Sequence, residues 1–209
     1  MPLREAVDYL PGTEMNLPNQ LTLARIILSP VFMIFFLIDN RYSRLFSLFV
    51  FVAATLTDLY DGYLARKTGV TTGFGKFMDP LADKILTSTA FICFVALGYA
   101  STWMVLAIVV REFLITGLRS LAAYKGVVIV PSLLAQVKTV LQMSVIVVIL
   151  VYINAKTILV SNGHPWAIFT SPWTPRLFNS LIFLTMVVTV GTGIDYLVKS
   201  APLLRGVLK

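Results

Sequence analysis

The chain has 209 residues, 57% of them hydrophobic and 13% charged, with a formal net charge of +7. Soluble domains carry roughly 45–50% apolar and about 25% charged residues, so this composition excludes an ordinary water-soluble globule and points to lipid as the solvent, and the length suits one domain. The positive charge does not indicate nucleic acid, because the 17 basic residues are spread between apolar segments instead of forming one patch; they read as topology signals and contacts to anionic lipid.

A spanning helix needs about 20 mostly apolar residues, and the apolar runs predict six, over residues 21–38, 45–64, 84–99, 102–121, 133–153 and 177–198. The expected fold is an all-α integral membrane protein of six transmembrane helices with its active site at the cytoplasmic side. Residues 1–18 form an N-terminal cytoplasmic or interfacial segment, 19–200 the six-helix domain and 201–209 a cytoplasmic tail. No cleaved signal peptide is expected, since the first apolar run follows the acidic residues Glu5, Asp8 and Glu14. Thirteen basic residues fall on or near one side, and four, Arg41, Arg44, Lys156 and Arg176, on the other. The richer side should be cytoplasmic, with both termini inside and a cell-membrane location. Connections are expected over 66–83, rich in glycine, threonine and charge, and over 154–176, an external loop whose lone His164 has no ligand partners near it in sequence. Cys93 lies in an apolar run and reads as a small buried hydrophobe.

Four of the ten acidic residues, Asp58, Asp61, Asp79 and Asp83, fall within 26 positions at the same ends of spans two and three. Ionisable groups in or at the edge of a membrane are costly and mark function. Separations of three and four residues put each pair on one helix face, and a reversal between the pairs lets the two faces meet. Carboxylates gathered in low dielectric repel each other; a divalent cation offsets that charge compactly, and an all-oxygen donor set suits Mg²⁺, Mn²⁺ or Ca²⁺. Gly62 and Gly75 either admit a substrate close to the backbone or serve tight helix packing. Arg66 either anchors the interface or meets a phosphate.

A second set of charges lies along span four. Arg111 and Glu112 interrupt an apolar helix, and Arg119 follows eight residues after Arg111 on the same broad face. With Lys138 at the start of span five they make a cationic cluster beside the acidic one, suited to an anionic substrate. The plainer reading is a buried ion pair with snorkelling side chains. Asn19 and Thr22 stand at the same level on span one, where they also fit a helix cap.

The run Asp58-Leu-Tyr-Asp61-Gly62-Tyr-Leu-Ala65-Arg66, then Gly75, Asp79 and Asp83, resembles the signature of the CDP-alcohol phosphatidyltransferase family at every defining position. Asn16–Arg25, Arg111–Arg119, Lys138-Thr139 and Gln142-Met143 are similar to the bacterial phosphatidylglycerophosphate synthase branch. One departure is Ala135-Gln136, where that branch often has Gly-Lys.

The resemblance implies a homodimer in the lipid bilayer, using two divalent cations, Mg²⁺ or Mn²⁺, held by Asp58, Asp61, Asp79 and Asp83, with Asp83 also the catalytic base. It implies CDP-lipid binding by Asn19, Thr22, Gly62, Arg66, Thr72 and Gly75, and acceptor-phosphate binding by Arg111, Arg119 and Lys138. The implied reaction moves the phosphatidyl group of CDP-diacylglycerol to sn-glycerol 3-phosphate, giving phosphatidylglycerol phosphate and CMP. The same chemistry with inositol phosphate, serine or phosphatidylglycerol as acceptor is the near rival, and an ion or proton transporter the distant one.

Overall fold

The computed structural model describes the backbone of residues 17–68, 73–124, 133–163, 166, 169 and 171–208, and the side chains of 21–57, 80–123, 134–163, 166, 169 and 171–201. Among these residues there are six long helices and no strands: α1 (Leu17–Leu37), α2 (Arg41–Thr68), α3 (Gly73–Ala96), α4 (Thr102–Tyr124), α5 (Leu133–Ser161) and α6 (Trp173–Leu208). A helix satisfies its own backbone hydrogen bonds, which is the condition for standing in a solvent without donors or acceptors.

Each expected span falls on a helix, but the ends differ: α1 and α3 stop at Leu37 and Ala96, short of the expected 38 and 99, while most other ends run beyond the expected bounds. The stretch read as a connection over 66–83 is helical to Thr68 and again from Gly73, so Gly75, Asp79 and Asp83 lie on α3. Likewise α5 continues to Ser161, and α6 opens at Trp173 with Pro175 in its first turn, where a missing N–H costs nothing. Hydropathy falls where charge gathers, while the helical hydrogen bonds continue. Helix α6 runs on through most of 201–209.

Helix α3 is central and packs against α1, α2, α4 and α5; α1 also lies along α2, and α6 along α4 and α5. The core is aromatic where α1, α2 and α3 meet. Phe32 stacks on Phe36 at 5.3 Å, Phe51 tilts against Phe32 at 5.4 Å, and Phe94 meets Phe36 edge-on. Lipid tails are as apolar as these rings, so close dispersion contact holds the helices together more than escape from water does. Cys93 is buried in this core.

The α3–α4 turn is set by Gly98, whose φ of +77° is left-handed. Tyr99 N–H donates to Phe94 O and Gly98 N–H to Val95 O, the glycine-capped ending that turns the chain back at once. The adjacent Ser101 is fixed by Asn179 Oδ1, which accepts from its N–H and its hydroxyl and ties this end of α4 to α6.

The surface carries large apolar side chains along several helices, among them Ile34, Phe49, Leu106, Val140 and Val187. Soluble proteins rarely expose so many. Residues 134–161 and 173–201 are long and apolar enough to cross a bilayer, with mean hydropathy 2.2 and 1.9. The chain is a membrane protein. Helices α3 and α4 interrupt their apolar runs with charge at the end of the bundle where the site lies.

Candidate active site

The halves of α3, α4, α5 and α6 that converge at this end enclose a cavity of about 540 Å³. Its walls bring together residues from four helices: Lys84, the Arg111–Arg119 face of α4, Lys138, and the last turns of α6. Five cations line it, Lys84, Arg111, Arg119, Lys138 and Lys199, against two carboxylates, Glu112 and Asp195. Lys199 and Asp195 pair with each other one helical turn apart.

Glu112 organises the rest. It is 2% exposed, and its Oε1 accepts from both Lys138 Nζ and Arg111 Nη1, the latter at 2.9 Å. Lys84 Nζ stands 3.6 Å from Oε2 and donates to Asp83 Oδ2 at 2.9 Å. Asp83 is thereby linked through Lys84 and Glu112 to Arg111 and Lys138. A buried carboxylate is tolerated only when paired and hydrogen-bonded, and three cations about Glu112 meet that condition while leaving net positive charge on the cavity wall. Chemically, such a wall suits an anion.

The expected acceptor group is brought together: Arg111, Arg119 and Lys138 line one cavity. The Arg111–Glu112 ion pair expected as the plainer reading is also present, but within this larger network. Of the expected metal ligands, all four lie on helices, Asp58 and Asp61 on α2 and Asp79 and Asp83 on α3, two elements in contact. The Asp83 side chain is 36% exposed. The side chains of Asp58, Asp61 and Asp79 lie outside the described residues, as do those of Asn19, Gly62, Arg66 and Gly75, and Thr72 lies wholly outside. No group of three or more possible metal-binding side chains occurs among the described residues. As a donor set, carboxylates spaced three and four apart on two touching helices fit a hard divalent cation. Thr22 is buried in α1.

Sequence reasoning missed Lys84, Glu112 as the organiser, and the whole contribution of α6. Arg111 Nη2 donates to Thr192 Oγ1 at 3.0 Å. The Tyr196 hydroxyl is buried with no hydrogen-bond partner among the described residues, on a side chain that lines the cavity. Polar residues recurring at 192, 195, 196 and 199 in an apolar helix were the available signal.

Gly193 makes a further contribution by having no side chain. A Cβ there would lie 2.8 Å from Arg111 Nε and 3.0 Å from its Cγ. Gly193→Ala therefore forces the Arg111 side chain to shift, and loss of its contact to Glu112 or Thr192 is the expected result. Losing one such charged hydrogen bond costs about 1.5–3 kcal/mol, so the KM for a cavity-bound anionic substrate should rise at least tenfold, with little change in kcat. Gly191→Ala, where a Cβ meets nothing within 4 Å, should leave steady-state kinetics unchanged. Equal behaviour of the two variants would mean that Arg111 does not depend on this contact.

The family profile described as CDP-alcohol phosphatidyltransferase matches residues 15–191. The CDP-diacylglycerol–glycerol-3-phosphate 3-phosphatidyltransferase of Bacillus subtilis (strain 168) is 37% identical over 197 residues, covering 88% of this chain and 95% of its own length. Relatives of the same name from Rickettsia felis, 44% identical over 61% of this chain and 71% of theirs, and from Salmonella paratyphi A, 37% identical over 62% and 74%, are also similar.

Proposed function

Because the chain belongs to the CDP-alcohol phosphatidyltransferase family, we propose that it transfers the phosphatidyl group of CDP-diacylglycerol to sn-glycerol 3-phosphate, releasing CMP and phosphatidylglycerol phosphate. The observation that carries this reading is the cationic cavity beside Asp83. An acceptor without a phosphate would leave the positive charge of Arg111, Arg119 and Lys138 in excess of the one carboxylate, Glu112, that pairs with Arg111 and Lys138. Glycerol 3-phosphate supplies both that anion and a primary hydroxyl.

In this mechanism Arg111, Arg119 and Lys138 bind the acceptor phosphate, with Lys84 adding positive charge between it and Asp83. Asp83 accepts the proton of the primary hydroxyl as its oxygen attacks the lipid-bearing phosphorus of CDP-diacylglycerol. The bond from that phosphorus to the CMP oxygen breaks, and CMP leaves with the electron pair. Asn19, Thr22, Gly62, Arg66, Thr72 and Gly75 hold the CDP moiety. Asp58, Asp61, Asp79 and Asp83 would hold two divalent cations, Mg²⁺ or Mn²⁺, whose charge offsets that of the diphosphate and of the leaving CMP.

The same reading makes all six helices spans of the cell membrane, with the site and both termini on the cytoplasmic side, and the working unit a homodimer. The excess of lysine and arginine near the catalytic end supports this orientation.

The test is CMP release from CDP-diacylglycerol by the purified chain, with and without acceptor and divalent cation. Release should need both, and glycerol 3-phosphate should outcompete inositol phosphate, serine and phosphatidylglycerol. Arg119→Ala should raise the KM for glycerol 3-phosphate roughly 10- to 100-fold, the worth of one charged hydrogen bond, and leave that for the CDP-lipid nearly unchanged. Equal effects on the two substrates would make Arg119 a structural residue.

A further inference from the structure

The opposite end of the bundle holds a second cavity, of about 480 Å³. Lys156, on its wall, follows Lys138 by 18 residues along α5, which at 1.5 Å per residue is about 27 Å away. Arg41, Arg44 and Lys156 all line it. They are three of the four basic residues that the sequence places on that side, so they converge instead of being scattered along the interface.

The cluster is not neutralised from within. Its one carboxylate, Asp39, pairs with Arg44 at 3.0 Å but is 85% exposed. Arg44 also donates to the Thr157 hydroxyl, while its Nε is buried with no hydrogen-bond partner among the described residues. Lys156 Nζ reaches the Tyr99 hydroxyl at 3.4 Å, and Arg41 bonds Asn162 Oδ1 and the Tyr42 hydroxyl. Three cations against one water-facing carboxylate, with a guanidinium N–H left unmet, form a receptor for an oxyanion. A phosphate ester offers several acceptor oxygens to an arginine fork and an ammonium group at once. Leu97 and Ile153 give the cavity an apolar wall, suited to what such a phosphate carries.

We propose that this cavity is a second anion site, remote from the catalytic one, that takes a phosphate oxyanion, either the headgroup of an anionic phospholipid or free phosphate. The site stands on the geometry at this end and does not depend on the reaction assigned to the other.

The full chain in neutral detergent is titrated with dihexanoyl phosphatidylglycerol, dihexanoyl phosphatidylcholine and inorganic phosphate, and bound equivalents are read by native mass spectrometry. Wild type is compared with R41Q/K156Q; binding at the cavity of Arg119 is common to both and drops out. Each cation at a membrane surface is worth roughly fivefold in affinity for an anionic lipid, so the variant should weaken one bound phosphatidylglycerol at least tenfold. Phosphatidylcholine should bind weakly to both proteins. Weakening of phosphatidylglycerol alone identifies the lipid headgroup as ligand, and equal weakening of inorganic phosphate identifies the free ion. Unchanged affinity for both probes overturns the proposal. CMP release at the wild-type rate shows that the variant is folded. Should it fall, Arg41→Gln alone, at an exposed side chain, carries the same comparison with a roughly fivefold effect.

Discussion

Asp83→Asn is expected to lower the turnover of CMP release by at least 10²–10⁴-fold, the range contributed by a general base. The amide keeps the size of the side chain but has no basic oxygen to take the acceptor proton, and it is a poorer ligand for a divalent cation. Two features favour this residue as the base. Its side chain is 36% exposed, which leaves it open to a substrate hydroxyl. Its Oδ2 accepts from Lys84 at 2.9 Å, which fixes the carboxylate. The KM for glycerol 3-phosphate should change little, because Arg111, Arg119 and Lys138 are untouched. Asp83→Glu, which returns the charge one methylene out of place, should recover part of the rate. Near-normal turnover in purified Asp83→Asn removes Asp83 from the proton-transfer role and leaves the hydroxyl to another base.

Which parts of this arrangement could be read from sequence follows from the range of the interactions involved. Spacing along one helix is local, so Arg111 and Arg119 on one face of α4, and the two aspartate pairs on α2 and α3, were legible from a 3.6-residue period. Helix ends were not, because hydropathy measures a membrane's thickness and not where hydrogen bonding stops. Helix α5 therefore runs to Ser161 where the apolar run predicts 153. Lys84 sits at the start of an apolar run, and a lysine there reads as an anchor. Only the approach of α4 reveals it as the link between Asp83 and Glu112. Gly193 in an apolar helix reads as ordinary small-residue packing; that the partner is the Arg111 side chain is a tertiary fact. Lys138 meets Glu112 across 26 residues, a pairing that no local pattern encodes.

That pairing gives the other large effect. Glu112→Ala should destabilise the protein by about 3–5 kcal/mol, the cost of removing one partner of a buried ion pair, and should raise the KM for glycerol 3-phosphate. The reason is charge. Arg111, Lys138 and Lys84 are held around one carboxylate with side-chain exposures of 13%, 5% and 12%. Without it, three poorly hydrated cations face one another, and they must move apart. That movement dismantles the cavity that the acceptor phosphate enters. A stability loss alone is the mark of any buried substitution, so the decisive comparison is the double variant Glu112→Gln/Lys138→Met. With one charge of each sign gone, thermal unfolding in detergent should recover part of the loss seen in Glu112→Gln, a coupling that a double-mutant cycle measures. The KM for glycerol 3-phosphate should not recover, because one of the cations that binds it is missing. Recovery of both would mean that Lys138 serves Glu112 and not the substrate. Additive losses in stability would mean that the two side chains are not coupled.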